Sequence, residues 1–226
     1  MLLSTSDSGS VDNSRWRERQ RELIVSLQAH PLLMVFRPDV QDLRAMDASH
    51  TRLCGWIDQL ADRGVRHVEL AWSDSPRWSD LIRGLQQRHP RLRFGVASVR
   101  CQRALEQTAA LGLTFAMSPC LDAVLMDLAR RLDLVLVPGV MTPTEIQRAV
   151  DWGCELVKVF PATTLGIEYH RLLAAPMAPL PFMIAAGGLR ADGVKAWLAA
   201  GYDAIALGRS AIVAERLDPA LDDWLA

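Results

Sequence analysis

Lysine is almost missing from this chain. Of its 25 lysine and arginine residues only Lys158 and Lys195 are lysine, so wherever a neutral amine is needed there are two places to look; arginine keeps its charge in proteins. An excess of charge of either sign is also missing. A net charge of -1 excludes bulk attraction to nucleic acid or to an anionic membrane, so an acidic ligand must be held by local groups. No apolar run reaches the roughly 18 residues of a membrane-spanning helix. Cys54, Cys101, Cys120 and Cys154 are far apart with no C-x-x-C pair, which argues against a zinc ribbon or a disulfide framework. Four buried free thiols in a cytosolic protein are expected instead. His30, His50, His67, His89 and His170 show no metal-ligand spacing, and neither a metal nor another cofactor is expected. The opening "MLLSTSDSGSVDN" lacks the basic and long apolar regions of a secretory signal. Small and polar, residues 1–13 are expected to be a disordered tail, with residues 14–226 as a single cytoplasmic domain.

What the chain has is apolar surface: 50% of its residues are hydrophobic, enough for a sizeable core. Short runs rich in Val, Leu, Ile and Phe recur: "LLMVF" from Leu32, "HVELAW" from His67, "RFGVAS" from Arg93, "TFAMS" from Thr114, "LVLVP" from Leu134, "LVKVF" from Leu156, "FMIAA" from Phe182 and "AIALG" from Ala204. Such runs read as buried strands. Amphipathic stretches separate them. "TRLCGWIDQLADRG" stops at Gly64, "SDLIRGLQQRH" starts on a capping Ser79, and "RADGVKAWLAAG" stops at Gly201. "TPTEIQRAVDWG" carries Thr142 as N-cap, Pro143 in the first turn, Glu145 in the capping-box position and Gly153 as terminator. Eight strand–helix units in about 200 residues predict an α/β fold, a TIM (β/α)8 barrel, with an extra N-terminal helix near Ser14–Ala29 across its bottom. An open doubly wound sheet is the alternative, but no G-x-G-x-x-G follows the first strand. The long connection "RPDVQDLRAMDASH" leaves the end of a strand at the catalytic face, either as a lid or as a longer helix start.

Side chains alternate along a strand. Val68, Leu70 and Trp72 suit the helices, which turns Glu69 inward, and Lys158 shares an inward face with Leu156 and Phe160. A carboxylate and an amine inside a barrel call for a reason. The bland reading is a structural ion pair, itself weak support for stability. Both residues lie late in their strands, where barrel sites are built. A neutral amine there can attack a ketone to form an imine, with the carboxyl shuttling protons. Gly187 and Gly188 of "AAGGL", with Gly208, Arg209 and Ser210 of "LGRS", offer backbone N–H groups ahead of a helix start, a setting that favours anions. Glycines that merely make tight turns are the alternative.

These residues resemble the 2-keto-3-deoxy-6-phosphogluconate aldolases, which include 4-hydroxy-2-oxoglutarate aldolases. "GVRHVELAW", "FAMSPCLD", "LVPGVMTPTEI", "LVKVFPA" and "AAGGL…LGRSAIV" carry the resemblance from about Pro31 to Val213. It implies a homotrimeric barrel that cleaves a 2-keto acid, phosphorylated or not, to pyruvate and an aldehyde. By position, Lys158 matches the Schiff-base lysine and Glu69 the proton-transferring glutamate. Pro119 matches the proline beside the site, Gly187, Gly188 and Ser210 the phosphate loops, and Arg37 a basic residue many members carry. The departures are specific. The family's arginine four residues after the glutamate is Ser73 here, its carboxylate-binding threonine is Ser98, and the glycine after Pro119 is Cys120. Half of the carboxylate clamp is replaced, with Arg37 or Arg100 as candidate substitutes. Two other readings remain: a barrel that isomerises a phosphosugar, with Lys158 as a charge clamp, and a diverged relative that senses a keto acid or phosphate.

Overall fold

The computed structural model describes residues 13–225, the side chains of 223 and 225 excepted. The expected tail, residue 13 apart, lies outside them. Each apolar run forms a parallel strand: β1 Leu32–Phe36, β2 His67–Ala71, β3 Arg93–Ala97, β4 Phe115–Met117, β5 Val135–Val137, β6 Gly139–Val140, β7 Leu156–Val159, β8 Phe182–Ala186 and β9 Ala204–Leu207. β5 and β6 are halves of one run, parted at Pro138, which has no N–H to give a ladder. The hydrogen-bonded order is β5-β4-β3-β2-β1-β9-β8-β7-β6. Its two outer members therefore adjoin, and Lys158 N–H donates to Pro138 O at 2.9 Å across the join. The sheet is a nearly closed (β/α)8 barrel.

The helices lie outside it. The main ones are α1 Ser14–Ala29, α2 Val40–Arg44, α3 Arg52–Asp62, α4 Trp78–Arg88, α5 Gln102–Ala110, α6 Ala123–Arg131, α7 Pro143–Asp151, α8 Ala162–Leu165, α9 Tyr169–Met177 and α10 Val194–Ala199. α7 starts as its residues dictate, with reciprocal capping by Thr142 and Glu145 around Pro143. Gly64, Gly153 and Gly201 take the positive φ that ends a helix. Ser79 does not cap α4. The helix begins one residue earlier at Trp78, whose buried indole donates to Ala71 O at 3.1 Å and draws the first turn onto β2. The long connection after β1 folds into α2, capped reciprocally by Asp39 and Asp42, and a 3-10 turn at Ala48–His50.

Two cores result. Between sheet and helices lie Val68, Leu70, Val96, Val157 and their neighbours. Inside the barrel are Leu33, Phe115, Met117, Val137, Leu156, Phe182 and Ile184, and α1 adds Leu23 and Leu27 as a plug. Ser26 of α1 meets the buried His67 at 2.8 Å, and Gln20 bonds Gly153 and Glu155, so the plug is held by polar contacts as well. Burial pulls His67 down to about 4, keeping it neutral there. Cys54 and Cys154 are buried, Cys101 is half-buried and Cys120 is exposed. All four thiols are free, but the expectation that all are buried fails in part at Cys101, the N-cap of α5, and wholly at Cys120, which lies past the end of β4. No helix among the described residues is long and apolar enough to cross a membrane.

Candidate active site

At the C-terminal end of the barrel the inward residues become small. Ala71, Ala97, Ala186 and Ala206 are the last inward residues of β2, β3, β8 and β9, and the space left by their methyl groups is a cavity of about 430 Å³. Lys158 and Glu69 both line it. Neither faces open solvent: Lys158 is 8% exposed and Glu69 2%. Their strands fix this orientation, with Glu69 level with Val35 on β1 and Gly95 on β3, and Lys158 level with Gly139 and Ile184.

Electrostatics follow from the burial. Loss of water drives Glu69 up to about 7, the Lys158 charge opposing it. The same loss pulls Lys158 down to about 8, against Glu69 and, more weakly, Cys120. No hydrogen bond satisfies Glu69 Oε1, which leaves a buried carboxyl oxygen open to a partner in the cavity. Lys158 Nζ stands 5.2 Å from the centre of the Phe160 ring, which forms part of the same wall. An amine and a carboxyl that share a cavity, each moved toward neutrality, suit proton transfer and nucleophilic attack near neutral pH.

The rim is built by loops that pack too tightly for side chains. Gly187 and Gly188 have φ of +94° and +81°. A Cβ on Gly188 would lie 2.4 Å from Thr163 Oγ1, and Thr163 in turn donates to Gly187 O at 3.0 Å. The Ser210 hydroxyl donates to Leu189 O and ties the loop after β9 to the loop after β8. Gly208, Arg209 and Ser210 line the cavity, but only a single 3-10 turn, Arg209–Ala211, follows, in place of the expected helix start. Across the mouth, Arg37 Nη2 donates to Ser98 Oγ at 3.3 Å, and Ser98 holds a left-handed φ of +62°. Gly139 lets Pro119 come close, since a Cβ there would meet the Pro119 carbonyl at 2.4 Å.

A family model for KDPG and KHG aldolases matches residues 43–222. The chain belongs to that aldolase family. It is 28% identical over 161 residues to the 2-dehydro-3-deoxy-phosphogluconate aldolase of Haemophilus influenzae, spanning 71% of this chain and 74% of that one. Identity to the 2-dehydro-3-deoxy-6-phosphogalactonate aldolase of Escherichia coli K12 is 24% over 153 residues, 67% and 74% of the two chains. The KDPG aldolase of Legionella pneumophila, solved with pyruvate captured as a covalent carbinolamine, superposes with a TM-score of 0.71 at 19% identity, covering 85% of this chain and 88% of that one. The Zymomonas mobilis 2-keto-3-deoxy-6-phosphogluconate aldolase with 3-phosphoglycerate gives 0.71 at 20% identity, covering 89% and 92%. These solved structures speak for the fold. Membership of the family supports an aldolase, a carbon–carbon lyase.

In this KDPG/KHG aldolase family member, ten of the eleven residues singled out from the sequence line one cavity: Lys158, Glu69, Arg37, Ser98, Pro119, Gly187, Gly188, Gly208, Arg209 and Ser210. Ser73 does not. It lies beyond the end of β2 and its hydroxyl accepts the Ser75 N–H at 3.2 Å. Arg100 is exposed and also absent from the lining, which leaves Arg37 as the candidate for the missing cation. The sequence reading missed Val35, Ala71, Ala97, Ala186 and Ala206. Their signal was the last inward position of each strand, which becomes visible when the strands are set in register.

Proposed function

We propose that the chain is a Schiff-base (class I) aldolase acting on a 2-keto-3-deoxy-6-phosphogluconate- or 4-hydroxy-2-oxoglutarate-like keto acid. The neutral Lys158 amine adds to the C2 carbonyl. The resulting carbinolamine is protonated on oxygen and loses water, leaving a protonated imine. The C3–C4 bond then breaks, and its electrons pass into the imine to form an enamine. The C4 hydroxyl gives its proton to Glu69 and becomes the carbonyl of the departing aldehyde. Glu69 returns a proton to C3, and water hydrolyses the imine to pyruvate and the free amine. Arg37, steadied by Ser98, takes the substrate carboxylate in place of the arginine missing at Ser73. The N–H groups and side chains of Gly187, Gly188, Gly208, Arg209 and Ser210 receive the far anionic end, and Pro119 walls the site. A homotrimer in the cytoplasm goes with this reading.

The observation that carries it is the buried amine whose carboxyl neighbour has no hydrogen bond to Oε1. Support comes from the carbinolamine recorded in the Legionella relative. The test is pyruvate release from 4-hydroxy-2-oxoglutarate and from 2-keto-3-deoxy-6-phosphogluconate by wild type and Lys158→Ala. Release from either substrate by wild type alone supports the proposal; release at equal rates by both proteins overturns it.

Ser73 favours a second reading, a barrel that binds or isomerises a phosphorylated sugar or keto acid without cleaving it. Thermal stabilisation by such a ligand with no pyruvate release from any 2-keto acid would select that reading.

A further inference from the structure

Away from the barrel mouth, three side chains that the mechanism does not use converge on the outer layer. Cys54 and Asp58 are four residues apart on one face of α3, and His89 ends α4. Cys54 Sγ, an Asp58 carboxylate oxygen and a His89 ring nitrogen lie within 4.8 Å of one another. Sγ is 3.9 Å from Asp58 Oδ1, and His89 Nε2 is 2.9 Å from the same oxygen. None of the three lines the catalytic cavity.

Two observations point to a ligand. The His89 side chain is 9% exposed, yet its Nε2 has no hydrogen-bond partner: the oxygen is near, but off the line of the ring nitrogen. A buried polar atom left open in this way calls for a water or an ion. The second is the donor set itself. Thiol sulfur, imidazole nitrogen and a carboxylate oxygen at this spacing suit a tetrahedral borderline metal, whose bonds of about 2.0–2.3 Å place donors roughly 3.3–3.6 Å apart.

We propose that Cys54, Asp58 and His89 form a binding site for a divalent transition metal of the zinc class, unrelated to the aldolase chemistry. To share one ion, Nε2 and Oδ1 part by a few tenths of an ångström from 2.9 Å and Sγ closes on Oδ1 by about as much from 3.9 Å, with no two donors starting more than 4.8 Å apart. Asp58 has an outer partner, since Arg88 Nη2 holds Oδ2 at 2.8 Å while its Nε shares Oδ1 at 2.7 Å. When Oδ1 turns to the metal, the Nη2 bond keeps the carboxylate ionised and aimed. Burial holds His89 toward its neutral form, the form that ligates. The Cys54 thiol is pushed up to about 11 in the free protein, so binding forms the metal–sulfur bond and releases the thiol proton to solvent. Asp58 is half-buried and His89 borders a surface cleft of about 260 Å³, which gives the ion a way in and leaves a fourth position for water. The site would join α3 to the end of α4.

The test is Co²⁺ titration of the tag-free full chain. Wild type should bind one equivalent with a near-ultraviolet thiolate-to-cobalt absorption that Zn²⁺ displaces. Cys54→Ala should abolish that absorption, His89→Ala and Asp58→Asn should weaken binding at least tenfold, and Cys120→Ser should leave it unchanged. Cys54 is in the core, so the two polar variants keep the test valid where Cys54→Ala folds poorly. Absence of the absorption in wild type overturns the proposal. Its loss in Cys120→Ser, or undiminished affinity in His89→Ala, does so as well.

Discussion

Lys158 should cost the fold stability in proportion to how far its burial depresses the amine, and Lys158→Met measures that cost. The side chain is 8% exposed in an apolar barrel and pulled from its ordinary 10.5 to about 8. Between those two values the unfolded chain carries a proton on this lysine that the folded chain lacks. The unfolded state is thus favoured progressively as pH falls from 10.5, and the stability this lysine permits at high pH is lost as pH drops through about 8. Methionine has no such proton. At about 1.4 kcal/mol per pH unit, the variant should gain on the wild type by on the order of 3 kcal/mol between the two ends of the window. Without the Lys158 charge Glu69 would rise further, so both proteins carry Glu69→Gln; the amine then loses its carboxylate support, the gap is at least as large, and the difference isolates the lysine. Urea unfolding of both proteins at several pH values from 8 to 10.5 reads the gap directly. A gap that stays constant over this range, or that grows with rising pH, would refute the reasoning, because the amine would then be as well solvated in the folded state as in the unfolded one.

Glu69→Gln keeps the shape and removes the proton transfer, so kcat should fall by about 10²–10⁴-fold with little change in KM. An unchanged kcat removes Glu69 from the chemistry. Arg37→Ala should raise KM for a 2-keto acid roughly 10–100-fold, the value of a charged hydrogen bond, while Arg100→Ala leaves it alone; the reverse pattern would move the carboxylate clamp to Arg100. Gly188→Ala forces a Cβ toward Thr163 at a φ of +81° and should destabilise by roughly 1–3 kcal/mol. Adding Thr163→Ala should recover part of that loss, and no recovery in the double variant would show that backbone strain alone is responsible.

Much of this was legible in the sequence for definite physical reasons. Parallel strands are covered on both faces, so "LLMVF" and "FMIAA" stand out as unbroken apolar runs. Alternation within "HVELAW" and "LVKVF" was enough to turn Glu69 and Lys158 inward, because their neighbours belong to the helix-facing core. Thr142 and Glu145 are a local signal and read correctly. The failures are long-range. Ser79 is a good capping residue in isolation, but the fit of Trp78 under β2 starts the helix earlier. Ser73 shares the parity of Glu69 but lies past the end of the strand, where parity no longer fixes direction. The cavity depends on four alanines from four strands, and the Cys54–Asp58–His89 cluster on two helices. Neither arrangement has a spacing within one segment that could announce it.

The most direct measurement on the central claim is mass spectrometry of the chain after incubation with pyruvate and borohydride. One reduced adduct per chain is expected, on the peptide that contains Lys158, and none in Lys158→Ala. An unmodified Lys158, or an adduct on Lys195 instead, would contradict it.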